Sequence, residues 1–380
     1  MKKVALLFRN DTFTVSEKDR DFDFESSNLV LGFGSGHLVS NSDVYDTIYR
    51  KFPKAQIALC STAGEIFGTE VLDDTISLVA IKWGSSIMQT SSVLIADYQN
   101  SFEAGKQLLL KMDQSALKLV FILSDGSHVN GSELVKGMNS VKAPHLLITG
   151  GLAGDGTHFE KTFVGLNEVP KTGNLIAIGL GGKNLEVTHG SLGGWESFGL
   201  ERVVTRSKEN ILYEIDGKNA LDLYKNYLGK YANDLPSSAL LFPLSIILEK
   251  GTESIVRTIL AIDEEHQSMT FAGDIPEGCK VRFMKANFDK LIDAASDAAS
   301  NSLELLSHKP ALAFLVSCVG RKLILGSRIE EEVEAVQDIF GTDTVLTGFY
   351  SYGEISPLTP MGNCGLHNQT MTITGINEIE

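Results

Sequence analysis

The order of predicted elements repeats along this chain. Short aliphatic runs alternate with helical patterns, and many of the runs end in glycine-rich turns. The order helix, three strands, helix, strand, helix, strand, strand occurs twice, the second time from about Asp216. Phe121–Ser124 echoes Phe314–Ser317, and Ile148–Gly151 echoes Leu346–Phe349. The sequence therefore predicts an α/β fold with two related domains, mixed sheets flanked by helices, and an internal duplication.

Size and charge narrow the function classes. The chain has 380 residues, which at about 150 residues per domain predicts about two to three domains. Hydrophobic residues make up 43% and charged residues 21%, so each domain can bury a core. The net charge of -15 repels a phosphate backbone and anionic lipid. Nucleic acid and membrane surfaces are therefore excluded as default partners.

Apolar runs and cysteines indicate the compartment. The first apolar run, Val4–Phe8, is too short for the core of a signal peptide, and Ala239–Leu248 is far shorter than the roughly 20 residues of a membrane span. Four cysteines without a Cys-x-x-Cys pair argue against a disulfide framework and a structural zinc site. We expect a cytoplasmic protein.

Two strand-end loops combine hydroxyls, glycines and a carboxylate, a mixture that suits a small zwitterion. The predicted ligand-binding residues in and around these loops are Ser61, Thr62, Gly64, Glu65, Asp155, Tyr350, Ser351, Gly353, Glu354, Asn368 and Gln369. The alternative is structural: the glycines permit the turns, and each glutamate caps the backbone amides that follow it.

Arg321 follows a predicted strand and needs an anionic partner if it is buried. One hypothesis is that it anchors the carboxylate of a ligand, which adds it to the ligand-binding residues. The other is an ion pair with Glu330, Glu331 or Glu332, which follow in the next helix.

Cys318, His367 and Glu354 all fall in strand-end loops and could serve as nucleophile, base and orienting group. A thiol-dependent α/β enzyme is therefore the alternative function from another class. The competing interpretation is that Cys318 is buried and inert, as most cysteines at strand ends are. We expect no enzyme activity, because the three residues do not follow a recognised catalytic spacing.

The eight histidines show no spacing typical of a metal site. A haem needs only one axial histidine and an apolar pocket. His367 is the first candidate axial ligand from its position before a predicted strand, and His158, in the comparable place of the first domain, is the second. Each of them could equally be a histidine that forms ordinary loop hydrogen bonds.

The same segments resemble the FIST family (F-box and intracellular signal transduction) over nearly the whole chain. The matching segments are Cys60–Ile66, Gly150–Gly156, Asp216-Gly217 with Ala220-Leu221 and Tyr224, Ser317-Cys318 with Gly320-Arg321, Gly348–Ile355 and His367–Thr370. The resemblance implies a FIST N-terminal domain over residues 1–218 and a FIST C-terminal domain over residues 219–380. It also implies a non-enzymatic ligand sensor of bacterial signal transduction.

Stand-alone bacterial members of the NosP type bind haem and sense nitric oxide. The resemblance therefore implies a sensor that binds haem b and regulates a separate histidine kinase or cyclic-di-GMP enzyme, as in two-component signalling. The alternative within the family is an amino-acid sensor without haem. No output domain is visible in the sequence, so we expect the signal to pass to a separate protein.

Overall fold

The computed structural model describes residues 1–16, 19, 21–247, 254–304, 306–357 and 362–379. The strands in these ranges form three sheets of six strands and one of eight. The sheets are mixed or antiparallel, and helices cover their outer faces. The predicted α/β class is confirmed.

Unit 1, residues 2–82, contributes most of the first sheet. Its elements are β1 (Lys2–Arg9), β2 (Thr12–Val15), β3 (Leu29–Gly34), α1 (Gly36–Val39), α2 (Ser42–Lys51), β4 (Gln56–Ser61), β5 (Glu65–Phe67), β6 (Glu70–Leu72) and β7 (Ile76–Lys82).

Unit 2, residues 87–181, contributes most of the second sheet. Its elements are β8 (Ile87–Leu94), α3 (Ser101–Leu110), β9 (Leu117–Ser124), α4 (Gly131–Asn139), β10 (Leu147–Leu152), β11 (Val164–Leu166) and β12 (Asn174–Gly181).

Unit 3 begins with β13 (Leu185–Leu192), is interrupted by an inserted module, and continues from residue 288 to residue 378. The inserted module holds β14 (Glu196–Lys208), β15 (Ile211–Ile215), β16 (Lys218–Asn219), α5 (Ala220–Leu228), β17 (Leu244–Ile247), β18 (Ser254–Arg257), β19 (Ile259–Asp263), β20 (Ser268–Phe271) and β21 (Lys280–Lys285). The rest of unit 3 holds α6 (Phe288–Leu303), β22 (Leu312–Cys318), α7 (Val319–Leu325), α8 (Ile329–Phe340), β23 (Val345–Ser351), β24 (Gly353–Pro357), β25 (Cys364–His367) and β26 (Met371–Glu378).

The three units share one topology. In each, a central strand pairs in parallel with the strand that follows the next helix and antiparallel with a later strand; these trios are β3, β4, β7; β9, β10, β12; and β22, β23, β26. The registers place Phe121 and Phe314 at the same position of equivalent strands, as the sequence echoes predicted. The repetition also goes further than expected, because unit 1 is a third copy.

Each unit gives one or two strands to the sheet of another: unit 1 gives β5 and β6, unit 2 gives β11, and unit 3 gives β24 and β25. The chain leaves β4 and adds β5 beside β23, it leaves β23 and adds β24 beside β10, and it leaves β10 and adds β11 beside β4. Strands from both sides of residue 218 therefore share three of the four sheets. The boundary between residues 218 and 219 stays a prediction.

The three mixed sheets enclose a shared core. Along β9 the alternate residues Leu119, Phe121 and Leu123 face this core, whereas Val120 and Ile122 face α3 and α4. Phe33 of unit 1 stacks on Phe349 of unit 3, with ring centroids 5.0 Å apart. Both faces of the sheets are buried, which explains why their strands are continuous apolar runs in the sequence.

Asparagine side chains fix where several helices begin. In α2 to α6 the residue before the helix is an asparagine whose side chain accepts a hydrogen bond from a backbone N–H of the first turn; these caps are Asn41, Asn100, Asn130, Asn219 and Asn287. One of them, Asn130, also contacts the inserted module, since its Nδ2 lies 3.4 Å from Asp274 Oδ1.

Candidate functional site

A ring of three backbone hydrogen bonds joins the units where their second strands end. In each bond, a backbone N–H that follows the second strand of one unit donates to one of the last two carbonyl groups in the second strand of another unit. The bonds are Ala63 N to Tyr350 O (2.8 Å), Tyr352 N to Leu152 O (3.1 Å) and Gly154 N to Ser61 O (3.0 Å). The predicted strand-end loops therefore meet at one place, even though they lie far apart in sequence.

Glu65 and Glu354 occupy equivalent positions in these loops, and both are buried. Glu65 accepts hydrogen bonds from the Thr62 hydroxyl (2.6 Å) and from the hydroxyl (2.9 Å) and backbone N–H (3.2 Å) of Thr75. Glu354 accepts the same three bonds from Ser351 and Thr370. Burial raises the pKa of each carboxyl group to about 7. These contacts match the structural interpretation of the loops.

The Arg321 guanidinium pairs with a glutamate inside the fold, as the ion-pair hypothesis for this residue states, and the anchoring of a ligand carboxylate stays a prediction. The Arg321 side chain is fully buried, its Nε lies 2.9 Å from Glu332 Oε2, and its remaining bonds go to the carbonyl groups of Gly193 and Leu291. The partner is one of the three glutamates that the ion-pair hypothesis named. The guanidinium is held by the protein and turned away from solvent.

Two more predicted ligand residues have structural partners. The Tyr350 hydroxyl is buried and donates to Glu332 Oε1 at 2.7 Å. The Ser61 hydroxyl accepts from the Phe163 backbone N–H at 2.8 Å. Their polar atoms are therefore occupied inside the fold.

Asn368 has a buried side-chain amide without a partner among the described residues. Its side chain is 1% exposed, and within the part of the chain that the structure describes neither Oδ1 nor Nδ2 forms a hydrogen bond. Gln369 follows it with the same unpaired amide atoms and packs against Gly320, where a side chain would collide with that amide. Unpaired buried amides are costly, so Asn368 is the strongest indication of a binding site.

The Asn368 side chain lines a cleft of about 340 Å³ between the repeated units and the inserted module. Val129, Leu152 and Tyr352 form apolar walls from the units. The module adds Thr258, whose buried hydroxyl is also without a partner in the described ranges. Apolar walls with a few unpaired polar groups are typical of small-molecule sites. We call this cavity the central cleft.

Several predicted residues line a second, more open cavity of about 380 Å³ beside unit 1. They are Thr62, Gly64, Glu65, Asp155 and His158. The Asp155 carboxylate accepts from the backbone N–H groups of Phe159, Glu160 and Lys161 and so fixes its own loop. The structure therefore divides the predicted site between two cavities, and Asn368 alone of the predicted ligand residues lines the central cleft.

The comparisons with known proteins cover most of the chain. Residues 28–218 match the FIST N domain, and residues 220–357 match the FIST C domain. The chain belongs to the FIST family. FIST domains are sensory domains of signal transduction, so the predicted sensory role is confirmed at that level. The NosP type is not distinguished by these matches.

One curated relative of this FIST protein is an uncharacterized protein. It comes from Methanocaldococcus jannaschii and is 24% identical over 325 residues, which are 78% of this chain and 61% of the relative. The chain thus spans about 61% of the length of that relative. In the described part of the FIST chain, none of the helices is long and apolar enough to cross a membrane.

The two candidate haem histidines are not equivalent in this FIST protein, contrary to expectation. His158 lies in the loop before β11, whereas His367 ends β25, which follows β24. The strands β11 and β24 are equivalent, so His158 comes before this strand in the chain and His367 comes after it. His158 is exposed, and its Nδ1 lies 2.8 Å from the Asp155 carbonyl oxygen.

His367 does not fit the usual ligation of haem. Burial lowers its pKa to about 4, so the imidazole is neutral, as an iron ligand must be. It also borders a cavity of about 330 Å³ beside Trp195 and Met284. However, Nε2 donates to the Ser356 carbonyl at 2.9 Å, which leaves only Nδ1, next to the backbone, for a metal.

The three residues of the enzyme hypothesis do not form a relay. Cys318 is 3% exposed, and burial raises the pKa of its thiol. The hydrogen bonds of His367 and Glu354 go to Ser356, Ser351 and Thr370 rather than to each other. A non-enzymatic role is also what FIST membership implies.

Sequence reasoning missed the cleft residues that come from outside the strand-end loops. Thr258 and Asp274 belong to the inserted module, more than 90 residues before Asn368 in the chain. Val129 and Asn130 follow the segment Ser124–Gly126 at the end of β9. That position after a predicted strand was a signal that could have identified them as candidate site residues.

Proposed function

We propose that this FIST protein senses a small molecule, an amino acid being the first candidate, which binds in the central cleft. The unpaired amide of Asn368 carries this proposal. A folded protein rarely buries an amide whose acceptor and donor atoms are both unused, and a ligand would satisfy both. The amide faces a cleft whose volume suits a molecule of amino-acid size.

The contacts between the walls of the cleft indicate how ligand binding is transmitted to a partner protein. The module's Asp274 bonds to Asn130 and Lys136 of unit 2, and its Arg257 donates to the Leu366 carbonyl of unit 3 at 2.9 Å. A ligand between these surfaces would contact the module and the units at once. We infer that binding stabilises one arrangement of the module, which a separate histidine kinase or cyclic-di-GMP enzyme then recognises.

The test is a thermal-shift screen of the twenty amino acids, followed by calorimetry of those that bind. Asn368→Leu should weaken binding by about tenfold or more, because the variant removes both polar atoms. Asn184→Leu, outside the cleft, is the matched control and should bind as the wild type does. Equal affinity of the Asn368→Leu and wild-type proteins would contradict the proposed site.

Sensing of nitric oxide through haem b is the second candidate, and it rests on the family resemblance alone, because the hydrogen bond of His367 Nε2 to Ser356 does not favour ligation of haem. The absorption spectrum of protein expressed with added haem tests it. A Soret band that shifts with nitric oxide and changes in His367→Leu would support this candidate. Absence of haem uptake would remove it and leave the amino-acid sensor.

A further inference from the structure

We propose that the central cleft recognises a neutral carboxamide group on a short aliphatic stem. This inference rests on the proposed function and specifies its ligand class. It starts from the repetition of the units. Asp73 and Asn368 occupy equivalent positions, each two residues before the threonine that bonds the buried glutamate. Each is followed by a residue with positive φ, 58° at Asp74 and 65° at Gln369.

In unit 1 a lysine side chain occupies the space directly beside this position, although Asp73 also borders the second, open cavity. The Lys322 side chain reaches from α7 of unit 3, and its ammonium donates to the Asp73 carboxylate and to the Ala63 carbonyl at 3.0 Å. The Lys322 chain also lies directly against Gly64, at the distance where a side chain there would collide with it. In unit 1, therefore, an aliphatic chain with a polar end, the Lys322 side chain, lies beside Asp73.

Beside Asn368, no lysine side chain of the described residues takes the place that Lys322 takes beside Asp73. Following the same exchange of strands, Tyr352 takes the place of Ala63, and the Asn368 position faces unit 2 instead of unit 3. In unit 3 the parallel pairing of the central strand starts at Leu312, and in unit 2 it starts at Leu119. Val129 lies as many residues after Leu119 as Lys322 lies after Leu312, and Val129 lines the central cleft. The shorter valine leaves open the space that the lysine fills in unit 1.

The chemistry of Asn368 specifies what should enter that space. Its Oδ1 can accept and its Nδ2 can donate, and neither atom has a partner among the residues that the structure describes. An ammonium group could satisfy only the acceptor, and a carboxylate could satisfy only the donor. A carboxamide offers both a donor and an acceptor and can form a reciprocal pair with the asparagine amide.

Charge supports the same choice. Asp274 is the only charged residue among the described residues that line the cleft, and it already pairs with Lys136 at 3.1 Å. A ligand carboxylate beside Asn368 would find no cation, and burying an unpaired charge is costly. Unit 1 places a charged ammonium on Asp73, whereas the neutral Asn368 matches a neutral group.

Three probes of similar shape separate these possibilities: pentanamide, pentylamine and pentanoate. Calorimetry or ligand-observed NMR with the whole chain should show pentanamide binding at least about tenfold more tightly than the other two. Asn368→Asp should reverse the preference towards pentylamine, since it recreates the carboxylate of Asp73. Val129→Lys should abolish binding of every probe, because the new lysine chain would occupy the space beside Asn368 as Lys322 occupies the space beside Asp73. Ile87→Lys, on an exposed position, is the control that keeps binding.

The outcomes distinguish the two proposals. Tighter binding of pentylamine or pentanoate, with loss in Val129→Lys, would overturn the carboxamide proposal and retain the cleft as a ligand site. Binding of none of the probes up to their solubility limits would also overturn it. An amino acid that binds equally well to wild type and to Val129→Lys would instead remove the cleft itself from the proposed function.

Discussion

The carboxyl groups of Glu65 and Glu354 belong to strands of two different sheets and accept the same three hydrogen bonds, each from a hydroxyl of its own loop and from a threonine that immediately precedes β7 or β26. The third copy of this position holds Val164, whose carbonyl accepts from Asn174. The position therefore joins neighbouring sheets in all three units, with different chemistry in unit 2.

Stability should fall as the pH rises through neutrality because of these two carboxyl groups. Their pKa is about 7 in the folded protein and 4.5 ordinarily, so the folded state binds protons more tightly. The contribution is complete below about pH 4.5 and lost as the pH passes 7, on the order of 3 kcal/mol for each group.

Urea unfolding at pH 5 and pH 8.5 measures this effect. The wild type should lose more free energy of unfolding between the two values than Glu65→Gln/Glu354→Gln, while the exposed Glu70→Gln should behave like the wild type. Taking the difference between proteins removes the opposite contribution of His367. An identical pH dependence in all three proteins would contradict the protonated state of the carboxyl groups.

Arg321→Leu should destabilise the fold by about 3 to 5 kcal/mol, because it leaves the buried carboxylate of Glu332 without its cation. Ligand affinity should not change, since the guanidinium faces away from the cleft. Urea unfolding and calorimetry measure the two quantities. The double variant Arg321→Leu/Glu332→Leu should recover part of the stability; loss of affinity in a protein of normal stability would favour the anchoring hypothesis.

Cys318 should resist alkylation in the folded protein, since burial raises the pKa of its thiol and excludes reagents. Mass spectrometry after iodoacetamide treatment, with and without urea, measures the labelled fraction. Cys318→Ser should keep the ligand binding of the wild type. Rapid labelling of the native thiol, together with substrate turnover that disappears in Cys318→Ser, would favour the enzyme alternative.

Gly150→Ala should destabilise unit 2 by on the order of 3 kcal/mol or more. Its φ is 137°, and an added Cβ would lie 2.0 Å from the Ile122 carbonyl oxygen of the paired strand. Gly36→Ala is the matched control, because its nearest neighbour would lie at an ordinary 3.4 Å. Thermal unfolding of the two variants compares them, and equal melting temperatures would contradict the close approach of β9 and β10.

The sequence pattern predicted the repeated strands because local periodicity survives in them. Phe121 and Phe314 were matched correctly, since both face the shared core at the same register. Unit 1 was not recognised as a copy because β2 stands where unit 2 has the helix α3. The exchange of β5, β11 and β24 leaves no local signal, because it depends on which sheet each strand joins.

The candidate site was predicted in part for the same reason. Asn368 was selected from the segment that precedes β26, and the cleft confirms that it lies at a cavity. Thr258 and Asp274 could not be found, because their proximity to Asn368 arises only from the way the inserted module docks. For Arg321 the sequence limited the partner to three glutamates, and the inward face of α8 selects Glu332.

The cyclic exchange of strands means that neither family segment can complete its own sheets. A chain cut between residues 218 and 219 would leave the second sheet without β24 and β25, and the third sheet without β5, β6 and β13. The exposed edges would be sites for aggregation, or for reassociation of the two fragments. A protein built in this way can gain length inside a unit, as it has at residues 196–285, but the loss of a unit would open an edge of one remaining sheet and leave a strand of the other unit without its partner.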